Sequence, residues 1–179
     1  NNSTLNNVTI SGNSSLYFGG GVALDYSYPI FNHVTISENT GGFSSGGIYI
    51  NQSDPQIINS IIWGNTASFG DTQIGISENG GTPLITYSNI SGGWIGDGNI
   101  NSDPLFFDSE NGDYTLQDSS PCIDVGISDI NNDGIDDITN FFGSAPDMGA
   151  FEYIGVLIPG DLNNDSILNI IDIIALVNI

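Results

Sequence analysis

The chain of 179 residues has no lysine and no arginine against 21 acidic residues, so its formal charge is −21. Nothing in it can neutralise a phosphate backbone or an anionic lipid surface, which excludes nucleic acid and acidic membranes as partners. Carboxylates in such excess repel one another unless salt or divalent cations screen them. The one cysteine, Cys122, rules out an intrachain disulfide. The one histidine, His33, leaves little for imidazole chemistry. No apolar run is long enough to span a membrane, and no signal-peptide pattern precedes the first residues. Asn1 opens inside a repeat and Ile179 follows no stop signal, which reads as a piece of something longer.

What is present is a repeat. Asn13, Asn39 and Asn65 lie one 26-residue step apart. The same step links Leu5, Phe31 and Ile57, then Ile10, Ile36 and Ile62, then Val22, Ile48 and Ile74, then Leu24, Ile50 and Ile76. A fixed period of this size marks a solenoid or a propeller, and it is too short for a propeller blade of about 40 residues. Each unit holds short stretches of alternating polarity, such as Val34-Thr35-Ile36 and Ile48-Tyr49-Ile50, the pattern of a half-buried strand. The expected fold is therefore all-β, a right-handed parallel β-helix of about four coils spanning residues 1–107. Its aliphatic columns would fill the core. The asparagine column would form an internal ladder of amides, or else mark three left-handed turn residues. Gly19-Gly20-Gly21 and Gly46-Gly47 read as corners where backbones of adjacent coils lie close. Pro55 to Pro83 is a 28-residue step, so two residues are inserted, near Gly80-Gly81. Within β-strand 60–63, the columns place Ser60 inside and Trp63 outside.

Residues 108–153 form an acidic cap segment, and 103–147 carry 11 of the acids against six in 1–102. The stretches Asp103-Pro104-Leu105-Phe106, Gly112 to Gly126 and Asp147-Met148-Gly149-Ala150-Phe151-Glu152-Tyr153 resemble the C-terminal part of secreted bacterial right-handed β-helix proteins of the choice-of-anchor or polymorphic outer-membrane-repeat kind. The resemblance covers about residues 1–153. It implies export to the extracellular space or cell surface, and no particular activity, because this fold carries lyases, hydrolases and adhesins alike.

Residues 154–179 form a linker and a loop-helix unit that resembles the first half of a dockerin module. Calcium takes six to eight oxygens, which a loop supplies from positions 1, 3, 5, 7, 9 and 12. Counted from Asp161, those are Asp161, Asn163, Asp165, the Ile167 carbonyl, Asn169 and Asp172, with Ser166 where a glycine would ease the turn. A cohesin-like partner would require a second repeat. A second candidate calcium loop is Asp129, Asn131, Asp133, the Ile135 carbonyl and Asp137, with Gly134 at the turn and Asn140 at position 12, but no apolar helix follows it. The competing account of both is an acidic, Asn-rich turn.

Catalytic signals are weak. A polysaccharide lyase draws on a cationic base or neutraliser, and this chain has neither Lys nor Arg. A hydrolase needs two carboxylates on one face, whereas Asp25 stacks over Asn51 and Ser77, and Asp54, Asp71 and Asp97 stand singly. His33 falls in an outward column with Asn7 and Asn59 and is expected at the surface. The leading expectation is a non-catalytic, secreted or cell-surface structural or adhesive β-helix, stabilised by calcium and able to self-associate into filaments through its open ends. The alternative is a glycan-binding or glycan-degrading module, motivated by outward Tyr17, Tyr26, Tyr28, Tyr49 and Trp63. Asn-x-Ser/Thr sequons begin at Asn1, Asn2, Asn7, Asn13, Asn51, Asn89 and Asn164.

Overall fold

The computed structural model describes residues 2–155. The repeat winds into a β-solenoid with three walls. The first turn contributes β1 (Thr4–Ser11), β2 (Ser14–Ser15) and β3 (Val22–Asp25). The second contributes β4 (Ile30–Ser37), β5 (Thr40–Gly41) and β6 (Ile48–Asn51). The third contributes β7 (Gln56–Ile58), β8 (Ile61–Trp63), β9 (Thr66–Ala67) and β10 (Ile74–Ile76). Every pairing between turns is parallel. The long wall stacks β1 on β4 and β4 on both β7 and β8; the others run β2-β5-β9 and β3-β6-β10. The register follows the 26-residue columns: Leu5 pairs with Phe31, Phe31 with Ile57, Ile36 with Ile62, Leu24 with Ile50 and Ile50 with Ile76.

These columns are the core. Phe31, Val34, Ile36, Ile48, Ile50, Ile57 and Ile62 are buried in one cluster. Stacking places like on like, so each side chain meets the same shape above and below and no coil has to solve its packing separately. The long wall bends at one column, where Asn7, His33, Asn59 and Tyr87 all adopt positive φ, between 47° and 53°. Asparagine tolerates this left-handed geometry and the others are held in it by their stacked neighbours. Close approach at the opposite corner requires glycine. A Cβ on Gly46 would lie 2.2 Å from the Thr66 carbonyl oxygen.

The solenoid makes about three turns and then a partial coil. After β11 (Leu84–Thr86) and β12 (Asn89–Ile90), which pair with the third turn at the expected 28-residue step, the chain folds under the last coil. Trp94 packs against the core from below. Asn99 Nδ2 donates to the Ile85 carbonyl at 2.8 Å, and Asn99 Oδ1 accepts from Ser88 N at 3.0 Å. Inside, Ser60 is buried and its hydroxyl accepts from Val34 N at 3.0 Å, as its column requires.

The acidic segment covers a flank of the solenoid. It begins with an antiparallel hairpin, β13 (Phe106–Asp108) and β14 (Asp113–Leu116), and then runs along the outer face of the long wall. Ile61 faces out from its coil yet is fully buried, in a second cluster with Leu116, Cys122 and Met148. Trp63 is outside the coil, as expected, but packs against this second cluster and is not free on the surface. Backbone bonds seam the cover to the wall: Gly149 N donates to the Asn59 carbonyl at 2.8 Å, and Ala150 N to Thr35 Oγ1 at 2.9 Å.

Candidate functional site

The asparagine column forms a hydrogen-bonded ladder. Asn13 Nδ2 donates to Asn39 Oδ1 and Asn39 Nδ2 to Asn65 Oδ1, both at 3.0 Å. Gln73 ends the series: its Oε1 accepts from Asn65 Nδ2 at 2.8 Å, and its Nε2 donates to the Asn65 carbonyl at 3.0 Å. Asn39 is fully buried, and its amide also serves the Ile10 and Ser37 carbonyls. The ladder therefore satisfies corner backbone groups that the strands leave over, which makes it structural.

In the 129–137 loop, the carboxylates turn inward onto backbone amides. Asp129 accepts from Asp133 N at 3.1 Å and Gly134 N at 2.8 Å. Asp137 accepts from Ile130 N at 2.9 Å and from the Asn131 amide groups at 3.2 Å. Asp133 accepts from Ile135 N at 2.9 Å, and Ile135 itself is exposed. Asp129, Asn131, Asp133 and Asp137 thus share one small loop, and its oxygen-only donors suit a hard cation. Among the described residues, no three His, Cys, Asp or Glu side chains stand together as a metal-holding group. Asp161, Asn163, Asp165, Ile167, Asn169 and Asp172 lie outside the described residues.

A different group of acids fastens the cover. Asp147 is buried, and its two oxygens accept from Asp124 N at 2.8 Å and from Tyr153 N. Glu152 Oε1 accepts from Asp147 N at 3.0 Å, and Asp124 Oδ1 from Ser144 N at 2.8 Å. Burial raises the Asp147 and Glu152 carboxyls above the usual carboxylate range, each opposed by amide donors and reinforced by acidic neighbours. Burial likewise lifts the Cys122 thiol to about 11, so it is an inert packing group.

His33 is not at the surface. The cover leaves it 6% exposed, and burial lowers its pKa to about 4 despite a hydrogen bond to the Asp147 backbone. Its Nε2 has no partner, and neither do Asn32 Oδ1 and Glu152 Oε2. All three residues line one polar cleft of about 320 Å³ between the bend of the second turn and residues 137–140. Asn32 and Glu152 carry no sequence signal of their own; the repeat marks only their neighbours. The consecutive apolar pairs Ile57-Ile58 and Ile61-Ile62 are hints that both faces of this wall are buried.

Elsewhere the surface carries aromatic side chains. Tyr17, Tyr26 and Tyr28 are exposed. Phe18 stacks on Tyr49 with centroids 4.5 Å apart, and Phe43 meets Phe69 at 5.6 Å. Asn89 is buried and bonded to the Ser102 carbonyl and Cys122, while Asn13, exposed in the first turn, is engaged by the ladder.

The chain matches no family model, no curated protein and no solved structure.

Proposed function

We propose that this chain is a non-catalytic structural or adhesive β-helix module of an exported or cell-surface protein, held rigid by calcium. The observation that carries this reading is the use made of its carboxylates. Asp124, Asp129, Asp137 and Asp147 spend their oxygens on backbone amides of the cover and the acidic loop, which is scaffolding work. Asp54 and Asp113 are each bonded to a nearby threonine. A calcium ion in the 129–137 loop would draw on Asp129, Asn131, Asp133, Asp137 and the Ile135 carbonyl, and it would relieve part of a charge of −21. The Asp161–Asp172 loop is the second proposed calcium site and the attachment point, through a cohesin-like partner if a second repeat joins it. Self-association by end stacking would use the first turn, where Leu5, Val8 and Ile10 are only partly buried.

The test is thermal melting in chelator and in millimolar calcium, for the natural chain and for a D129N/D137N double variant. Calcium raises the melting temperature of the natural chain, and the variant keeps only the part due to the Asp161 loop. An unchanged melting temperature overturns the calcium role. Release of reducing ends from any polysaccharide overturns the non-catalytic reading. A glycan-binding role is favoured by one observation, the exposure of Tyr17, Phe43 and Phe69 on successive turns; a glycan array checks it.

A further inference from the structure

Four buried side-chain atoms among the described residues lack a hydrogen-bond partner, and three belong to residues of the same cleft: Asn32 Oδ1, His33 Nε2 and Glu152 Oε2. Buried polar atoms are nearly always paired, so three orphans in one place mark a missing partner. All three are acceptors. His33 is bonded to the Asp147 backbone and its Nε2 has no partner, so with the ring proton on Nδ1 for that bond Nε2 presents a bare lone pair. Asp137 and Asn140 also line the cleft, and His33 is the one basic side chain in it. The chain has no Lys or Arg anywhere to fill it from within.

We propose that this cleft binds a primary ammonium group, supplied either by a free amine or by a lysine side chain of another protein. An ammonium head has three N–H donors for three acceptors, and its charge is compensated by Glu152. A volume of about 320 Å³ is far more than one ion fills and accommodates a head with its alkyl stem. No three metal-type ligands converge here, which separates this site from a metal centre. The orphan atoms are buried in the wall of the cleft, so an ammonium head meets them as the half-buried Glu152 carboxyl turns to admit it.

His33 is the only histidine, so its ring resonances report on the cleft without ambiguity. The experiment titrates the 179-residue chain with n-butylammonium, with Nα-acetyl-lysine amide and with tetramethylammonium, following the His33 ring nitrogens by NMR. The expected result is a saturable shift of Nε2 with the first two and none with the third, which has charge but no N–H. Glu152→Gln retains an oxygen for Asp147 N, so the cover stays seated, and it weakens binding at least tenfold. Equal affinity for the two amines assigns the site to free amines; tighter binding of the lysine derivative assigns it to a protein side chain. No saturable shift, or an equal shift with tetramethylammonium, overturns the proposal. So does displacement of the amine by micromolar divalent metal. The wild-type comparison of the three probes decides the matter even if the variant does not fold.

Discussion

Replacing His33 with asparagine would turn a buried titrating group into a silent one at the same backbone bend. Asn7 and Asn59 occupy the equivalent positions at φ 53° and 49°, so asparagine accepts the conformation that His33 adopts at 52°. In the folded protein His33 titrates at about 4, against 6.5 for the free side chain. The folded pKa is the lower of the two, so the unfolded chain takes up the proton first. Stability is therefore intact above about pH 6.5 and is lost as the pH falls towards 4. At pH 5 the unfolded state gains about 2 kcal/mol from this proton, rising to roughly 3 kcal/mol below pH 4. Asp147 and Glu152 act the other way, because their raised folded pKa values favour the native state as acid is added. Comparing two proteins removes that common background. Urea unfolding at pH 7.5 and pH 5 should show the natural chain losing about 2 kcal/mol more than H33N over this interval. Equal losses in both proteins would refute the claim that the cover keeps His33 dry and neutral.

Three further outcomes follow from the packing. Asn39→Ala removes the middle rung of the ladder and strands buried partners on both sides, which costs about 2–4 kcal/mol by denaturant unfolding; a change under about 0.5 kcal/mol would show the ladder to be ornamental. Cys122 should resist thiol reagents in the native state and react only on unfolding; rapid labelling of native protein would mean the cover is open in solution. Ile61→Ala hollows the contact between wall and cover, costs about 2–4 kcal/mol and speeds Cys122 labelling, while leaving the far-ultraviolet spectrum of the coils unchanged.

The coils were legible because their information is written three times. Leu24, Ile50 and Ile76 repeat one demand, and a strand pattern too short to trust alone becomes decisive when the same column recurs. The inserted pair of residues was legible for the same reason: it displaces Pro83 from the place Pro55 predicts. The cover was not legible in this way. Its contacts join Thr35 to Ala150 and Asn59 to Gly149, each made once, between segments that share no period. His33 was misplaced by its column: Asn7 is exposed in the first turn, and nothing in the repeat says that the second and third turns lie under another segment. The cleft was invisible for a further reason, since its chemistry lies in atoms left without partners, a property of three-dimensional accounting and not of residue type.

The seam between wall and cover also constrains how the molecule can be made. Ala150 meets Thr35 across 115 positions of chain, so the second turn waits for a partner that a ribosome supplies only much later. Coils can nucleate and propagate locally, neighbour upon neighbour, in the meantime. Until the last strip arrives, Ile61 and Trp63 face water, and the half-made protein is sticky along one side. Its most vulnerable moment thus falls in the interval when the spiral is already wound but still bare on that flank.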